Sequence, residues 1–164
     1  MTWPSWLGNY ISDRTAMYTI TEIEDAIIAT LKASGMGSYC KKIDSYQIEG
    51  GDLEEQIRLF AMQLPCALVI YSESIFEHFP NKQQTEEMTF SILVCAQSLR
   101  GGGESRRGGI GVYKMLEDLR SILTGQRVGL TIDPLMPVRR RAEINTKNFS
   151  AYSMDFRTKC RFTF

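Results

Sequence analysis

The single histidine limits the chemistry that this chain can carry. His78 is the one histidine among the 164 residues, so the sequence excludes a two-histidine metal site. A Ser-His-Asp triad would have to use His78, and no serine lies in the Gly-x-Ser-x-Gly turn that presents a nucleophile. His78 lies between Glu77 and Phe79, at the start of a segment that contains Pro80 and continues with polar residues. This setting favours a solvated loop histidine over a catalytic base.

A glycine-rich stretch at residues 100–111 is the strongest candidate for a ligand-binding loop. It reads RGGGESRRGGIG and lies between a predicted strand and a predicted helix, where phosphate-binding loops occur. It lacks the Lys-Ser or Lys-Thr that closes a P-loop, and it does not form G-x-G-x-x-G at the start of a helix. We expect a mobile surface loop whose Arg100, Arg106 and Arg107 contact an acidic partner surface. The alternative is a small nucleotide-binding or regulatory enzyme that uses this loop.

The cysteines and paired acids have structural interpretations. The four cysteines lie far apart without a C-x-x-C pair, which favours buried free thiols over disulfides or metal ligands; they are Cys40, Cys66, Cys95 and Cys160. Paired acids at residues 54–55 suit a helix cap, and those at residues 117–118 suit a solvated helix face. No D-x-D-x-D-G calcium loop is present. The sequence therefore predicts no catalytic residue, metal or cofactor.

Charge and hydrophobicity exclude several further classes. Lysine and arginine total 19, as do aspartate and glutamate, which argues against nucleic acid or an anionic membrane surface as the main partner. No segment approaches the roughly 20 apolar residues of a membrane span. The N-terminus lacks the pattern of a secretory signal. We therefore expect a single-domain protein that stays in the cytosol or is released by lysis.

Two segments are candidates for an interface with another subunit. Residues 1–18 are predicted to form an amphipathic arm whose Trp3, Trp6 and Tyr10 grip a neighbouring subunit or dock on the chain's own domain. The basic run Arg139–Arg141 alternates along a predicted edge strand, so its arginines divide between two faces of the sheet. Arg139 and Arg141 either protect the edge by charge or form ion pairs across an interface.

Periodicity places the secondary structure. Thr19 and Glu22 form a capping box that begins a helix, which Gly35 ends; further helices are predicted at residues 53–64 and 112–123. Strands are expected at 40–48, 66–76, 86–98, 138–144 and 152–164, with a loop or short strand at 128–132. The run 66–76 has the pattern of a strand covered on both faces, and residues 78–86 are predicted to be a projecting loop.

This order predicts an α+β fold in residues 19–164. The sheet is mainly antiparallel or mixed, about three helices pack on one face, and a long C-terminal strand lies in the sheet. A strand of this length needs partners on the sheet to satisfy its backbone. Nothing in the elements themselves requires a catalytic pocket.

Several stretches in this order resemble a known family. They are ITEIEDAIIATLKA, LPCALVIY, FSILVCAQSLRG, GIGVYKMLEDLRSILTGQRVGL with the following PLMP, and SAYSMDFRTKCRFTF. Together they are similar to the Mu-type phage tail-terminator family, over about residues 20–164. The arm at the N-terminus lies outside the resemblance, and no catalytic residue is transferred by it.

The resemblance implies a structural virion protein. Its subunits would form a ring, by expectation a hexamer, that caps the tail tube and sheath at the head-proximal end and offers a surface to head-connector proteins. DNA in the lumen would touch the ring only passively, and no membrane is involved. The structural alternative is a head–tail connector, or the cap of a phage-derived contractile particle. The strand edges, arm and loops suit a heterologous contact that closes by rotation.

Overall fold

A five-stranded sheet forms the frame of the molecule. The computed structural model describes residues 18–46, 50, 52–58, 61–98 and 100–163. The strands are β1 (Lys42–Ser45), β2 (Cys66–His78), β3 (Gln83–Gln97), β4 (Met136–Asn145) and β5 (Phe149–Thr163), in the spatial order β1-β2-β3-β5-β4. β1 runs parallel to β2, and the other pairs are antiparallel. The predicted α+β class with a mixed sheet is confirmed, and the C-terminal strand lies between two partners.

Among the described helices, α1 begins where the sequence supplies a side-chain cap. They are α1 (Ile20–Ala33), α2 (Met36–Tyr39), α3 (Leu53–Arg58), α4 (Gly102–Arg107) and α5 (Val112–Leu123), with a 3-10 turn at Ala61–Gln63. The capping box of α1 is confirmed: the Thr19 hydroxyl accepts from the Glu22 amide at 3.1 Å, and the Glu22 carboxylate accepts from the Thr19 amide at 2.7 Å. α1 ends at Ala33, just before Gly35, as predicted. Gly35 keeps a right-handed φ of −57° and leads into the short helix α2, which the sequence did not predict.

One face of the sheet carries the main core. α1 and α5 bury their apolar stripes, including Ile23, Ile27 and Leu119, against side chains from the three longest strands such as Phe90 and Phe156, all at 0% exposure. Because the apolar side chains of β3 and β5 alternate, one face receives the helices and the other does not.

The second face is apolar only at one end. Cys66, Leu68, Leu93, Cys95 and Ala151 form a small buried cluster there, packed by Leu64 and partly buried neighbours. Farther along the same face lie Ser91, Ser153 and Asp155, which are buried although polar. The prediction that residues 66–76 are covered on both faces holds only for Cys66–Val69, because β2 becomes exposed from Ser72 onward.

The predicted loop at residues 78–86 is wrong. β2 continues to His78 and β3 starts at Gln83, so a tight connection joins them, closed by the Phe79 amide donating to the Gln83 carbonyl at 2.9 Å. Lys82 takes a positive φ of 62° in this turn. Residues 83–87 hold a strand despite their polarity because β2 and β5 pair with them on both sides.

Three other segments differ from expectation. The glycine-rich loop contains the short helix α4 rather than remaining irregular throughout. At residues 128–132, where a loop or a short strand was expected, the loop is confirmed: the segment forms turns, with Val128 at φ 47° and Gly129 at φ 78°. The strand expected at 40–48 is described only as β1, and the helix expected at 53–64 divides into α3 and the 3-10 turn.

Candidate functional site

The titratable groups do not assemble into a catalytic centre in the part of the chain that the structure describes. His78 is exposed at the end of β2, where its Nδ1 lies 3.0 Å from Nε2 of Gln84 on the facing strand. No group of three or more histidine, cysteine, aspartate or glutamate side chains among the described residues is arranged to hold a metal ion. The expectation of a solvated histidine therefore holds, at a strand end instead of in a loop.

The cysteines are free thiols in a poorly reactive setting. Cys66 and Cys95 face each other across β2 and β3, and both are fully buried. Burial raises the pKa of Cys40 to about 12 and that of Cys160 to about 11. Since the thiolate is the nucleophile and the metal ligand, these groups are unsuited to covalent or metal chemistry at neutral pH. The predicted free thiols are confirmed.

The glycine-rich segment is used for close packing. A Cβ at Gly111 would lie 2.5 Å from the carbonyl oxygen of Arg106, and one at Gly102 would lie 2.9 Å from that of Thr146. Ser105 of α4 is buried and shares a hydrogen bond with Ser150 of β5 at 2.9 Å. These glycines let α4 approach α5 and the β4–β5 connection, a structural use that needs no phosphate.

The basic run divides between two faces, as its alternation predicted. Arg139 and Arg141 stand opposite Asp155 and Ser153 on the face without helices. Arg140 stands opposite Met154 on the helix-covered face, where its guanidinium meets Glu117 of α5 at 2.9 Å. Arg139 and Arg141 thus share one surface, and their predicted role in a subunit interface stays a prediction.

A polar cluster crosses the middle of the open face. Asp155 is 3% exposed and accepts hydrogen bonds from Ser91 at 2.6 Å and from Nε of Arg139 at 2.6 Å. The carboxylate holds the pKa of Arg139 above its ordinary value, through the hydrogen bond first and through its charge second. We call these three residues the Asp155 cluster. The cluster links β3, β5 and β4 in one row. Each of its three side chains has a hydrogen-bond partner within it, which indicates a structural role.

A depression lies between α5 and the outer strands. This α5–β4 groove has a volume of about 350 Å³ and is lined by Tyr113, Leu116, Glu117, Arg140, Arg141 and Tyr152. The rings of Tyr113 and Tyr152 meet edge to face with centroids 5.6 Å apart. The hydrogen bond between their hydroxyls raises the pKa of Tyr113. Arg106 and Arg107 lie close enough to lower the same pKa by their charge, so α4 supplies a basic rim.

At the other end of the sheet, the β2–β3 hairpin exposes apolar side chains. We call residues 75–86 the hairpin tip. Phe76 is 50% exposed, Phe79 is 45% exposed and Ile75 is also largely in water. Phe76 stands opposite Glu86 on β3. Exposed aromatic side chains of this kind are typical of protein interfaces.

The sequence-predicted interface residues are only partly brought together. Arg106 and Arg107 gather at the groove, whereas Arg100 is exposed in the turn after β3. Trp3, Trp6 and Tyr10 lie outside the described residues. Sequence reasoning missed Tyr113 and Tyr152, because each was counted within a helix or strand and only the fold places their rings together. For the exposed hairpin turn, the sequence signal that could have been used is the pair Phe79–Pro80, an aromatic residue next to a turn-forming proline.

A family model matches most of the chain. No helix among the described residues is long and apolar enough to cross a membrane. No curated protein sequence matches the chain. A family model described as "Bacteriophage Mu, Gp37" matches residues 19–161, from the cap of α1 to near the end of β5.

Proposed function

The chain belongs to the bacteriophage Mu Gp37 family, and from that premise we propose that it is the tail terminator of a Mu-type phage particle. The family indicates a phage structural protein. In the proposed role, subunits assemble into a hexameric ring at the head-proximal end of the tail, stop polymerisation of tube and sheath, and present a surface to the head connector. The role requires binding surfaces and no catalysis.

The observation that carries this proposal is the separation of two exposed surfaces on one small domain. The hairpin tip exposes Phe76 and Phe79, and the α5–β4 groove exposes Tyr113 at 43% with arginines around it. A ring needs two different surfaces on each subunit, since a heterologous contact repeats by rotation until it closes. Two unlike surfaces at opposite ends of the sheet support a ring subunit better than an isologous dimer.

The described chemistry supports a structural role over a nucleotide-binding one. Gly102, Gly108 and Gly111 lie against backbone, and α4 with six residues is too short to offer a useful helix dipole to a phosphate. Thermal shift measurements with common nucleotides should therefore leave the melting temperature unchanged. A shift lost on changing Arg106 and Arg107 to alanine would favour the enzyme alternative.

Deletion of the gene in a phage-producing strain tests the proposal. We expect tubes and sheaths of unregulated length, free of heads, with normal tails restored by the gene in trans. Tails of normal length that still join heads would contradict the tail-terminator role. Labelling the subunit in electron micrographs then distinguishes a ring at the end of the tail from a connector inside the head vertex, or from a cap on a headless contractile particle.

A further inference from the structure

We propose that the hairpin tip of one subunit inserts into the α5–β4 groove of the next subunit. This inference rests on the proposed function, because it names the two surfaces through which a ring would be built. The occupant of the groove is a second copy of this chain.

The hairpin tip is an aromatic surface with an acidic side chain free to pair. Phe76 and Phe79 are about half exposed. Glu86, opposite Phe76, accepts a hydrogen bond from Ser74 at 2.7 Å, and no ion pair involving Glu86 is formed among the described residues. Phe76 and Glu86 share one face of the hairpin, and the exposed Phe79 follows in the turn just beyond the end of β2.

The groove offers the matching chemistry. Tyr113 and Tyr152 form its aromatic wall. Arg140 and Arg141 line it, and Arg106 and Arg107 of α4 lie near enough to act on Tyr113 by their charge. Tyrosine and arginine are the residues that most often anchor interfaces. A volume of about 350 Å³ gives room for an aromatic side chain, near the lower end of the roughly 300–1,000 Å³ found for ligand pockets.

The positions of the two surfaces require two copies. Tyr152 pairs with Val94, whereas Phe162 pairs with Gln84 beside the tip, and the two positions are 10 residues apart on β5. At about 3.3 Å per residue this separates groove and tip by roughly 33 Å along a rigid sheet. The tip therefore cannot fold back into its own groove. A contact between unlike surfaces at opposite ends is heterologous, and its repetition generates a ring or an open helix.

Charge and area support a second copy as the occupant. The carboxylate of Glu86 at the tip and the arginines near the groove carry opposite charges. Contact between two tips or between two grooves would instead bring like charges together. Phe76 and Phe79 are about half exposed, so each can add about half of the roughly 150–250 Å² that a whole aromatic side chain buries, compared with about 800 Å² per partner in a stable interface. The tip thus supplies the centre of the contact, and flanking strand residues supply the remainder.

Paired variants test the contact. The tip variant carries Phe76→Ser and Phe79→Ser, and the groove variant carries Tyr113→Ala and Arg107→Glu. We expect light scattering to give rings for the wild type and monomers for each variant. An equimolar mixture should stop at dimers, because one intact tip and one intact groove remain. Met62→Ser, which changes a side chain 92% exposed elsewhere, should assemble as the wild type does.

Crosslinking extends the test to assembled tails. With Phe79→Cys and Tyr113→Cys in one chain, a short bismaleimide should give a ladder of multimers in purified particles, and each single variant should not. Tip and groove variants that assemble like the wild type, or a double variant without a ladder, would overturn this inference. The deletion experiment tests the proposed function separately. If deletion gives tails of unregulated length but the double variant gives no ladder, the proposed function stands and this contact is wrong.

Discussion

Asp155 accepts a hydrogen bond from Nε of Arg139 at 2.6 Å, directly across the β4–β5 pair. The carboxylate is buried whereas the Arg139 side chain is 60% exposed. We expect Arg139→Ala to lower the free energy of unfolding by about 1–3 kcal/mol, because it leaves a buried acceptor short of a charged partner. Urea unfolding at neutral pH measures the change. Arg141→Ala, whose main partner Glu143 is more exposed, should cost less; equal losses would argue against the special role of Arg139.

Gly111 packs too closely for any side chain. The carbonyl of Arg106 leaves no space for a Cβ there, so Gly111→Ala should destabilise the domain by about 1–3 kcal/mol through local overpacking. Gly103, inside α4, meets nothing within 4 Å. Gly103→Ala should stabilise by up to about 1 kcal/mol because alanine favours a helix. Thermal unfolding of both variants distinguishes a steric requirement from a general need for flexibility in this segment.

Asp118 should make stability depend on pH in the acid range. Burial raises its pKa, but hydrogen bonds from Lys114 at 2.7 Å and from Tyr39 outweigh burial and lower it overall. A folded pKa below the unfolded one stabilises the fold above about pH 4 and loses that contribution as pH falls through the folded pKa.

The variant Asp118→Asn should therefore be less stable than the wild type by about 1 kcal/mol at pH 7. Chemical unfolding across the pH range should show this difference shrinking below about pH 4. Asp25→Asn, on the exposed side of α1, is the control for removing a carboxylate, and it should cost less stability at pH 7. A constant difference down to pH 2 would contradict the linkage.

The buried thiols should resist modification in the native protein. Cys66 and Cys95 are 0% exposed and Cys160 is 4% exposed, while burial raises the pKa of Cys40. We expect Ellman's reagent to react slowly with fewer than one thiol per native chain and rapidly with all four in urea. Rapid reaction of Cys66 and Cys95 in the native protein would show that the sheet opens readily where β2 pairs with β3.

The sequence predicted most of the frame. The capping box at Thr19, the apolar period of α5 and the two-residue alternation of β5 are local signals, and each reflects a single element's own geometry. The division of Arg139–Arg141 between two faces followed from the same alternation. Long periodic segments could be assigned to a helix or a strand, because their pattern of apolar residues does not depend on which element they pack against.

Tertiary structure decided the remainder. Residues 83–87 are polar, so only pairing with β2 and β5 makes them a strand. α4 is held by packing that no propensity of a glycine-rich segment would predict. The contact of Tyr113 with Tyr152, and the distance between groove and tip, depend on strand order, which links residues far apart in the chain. By itself the sequence determined the fold class; the fold determined which exposed side chains form a surface together, because proximity between distant residues is a property of the packed sheet.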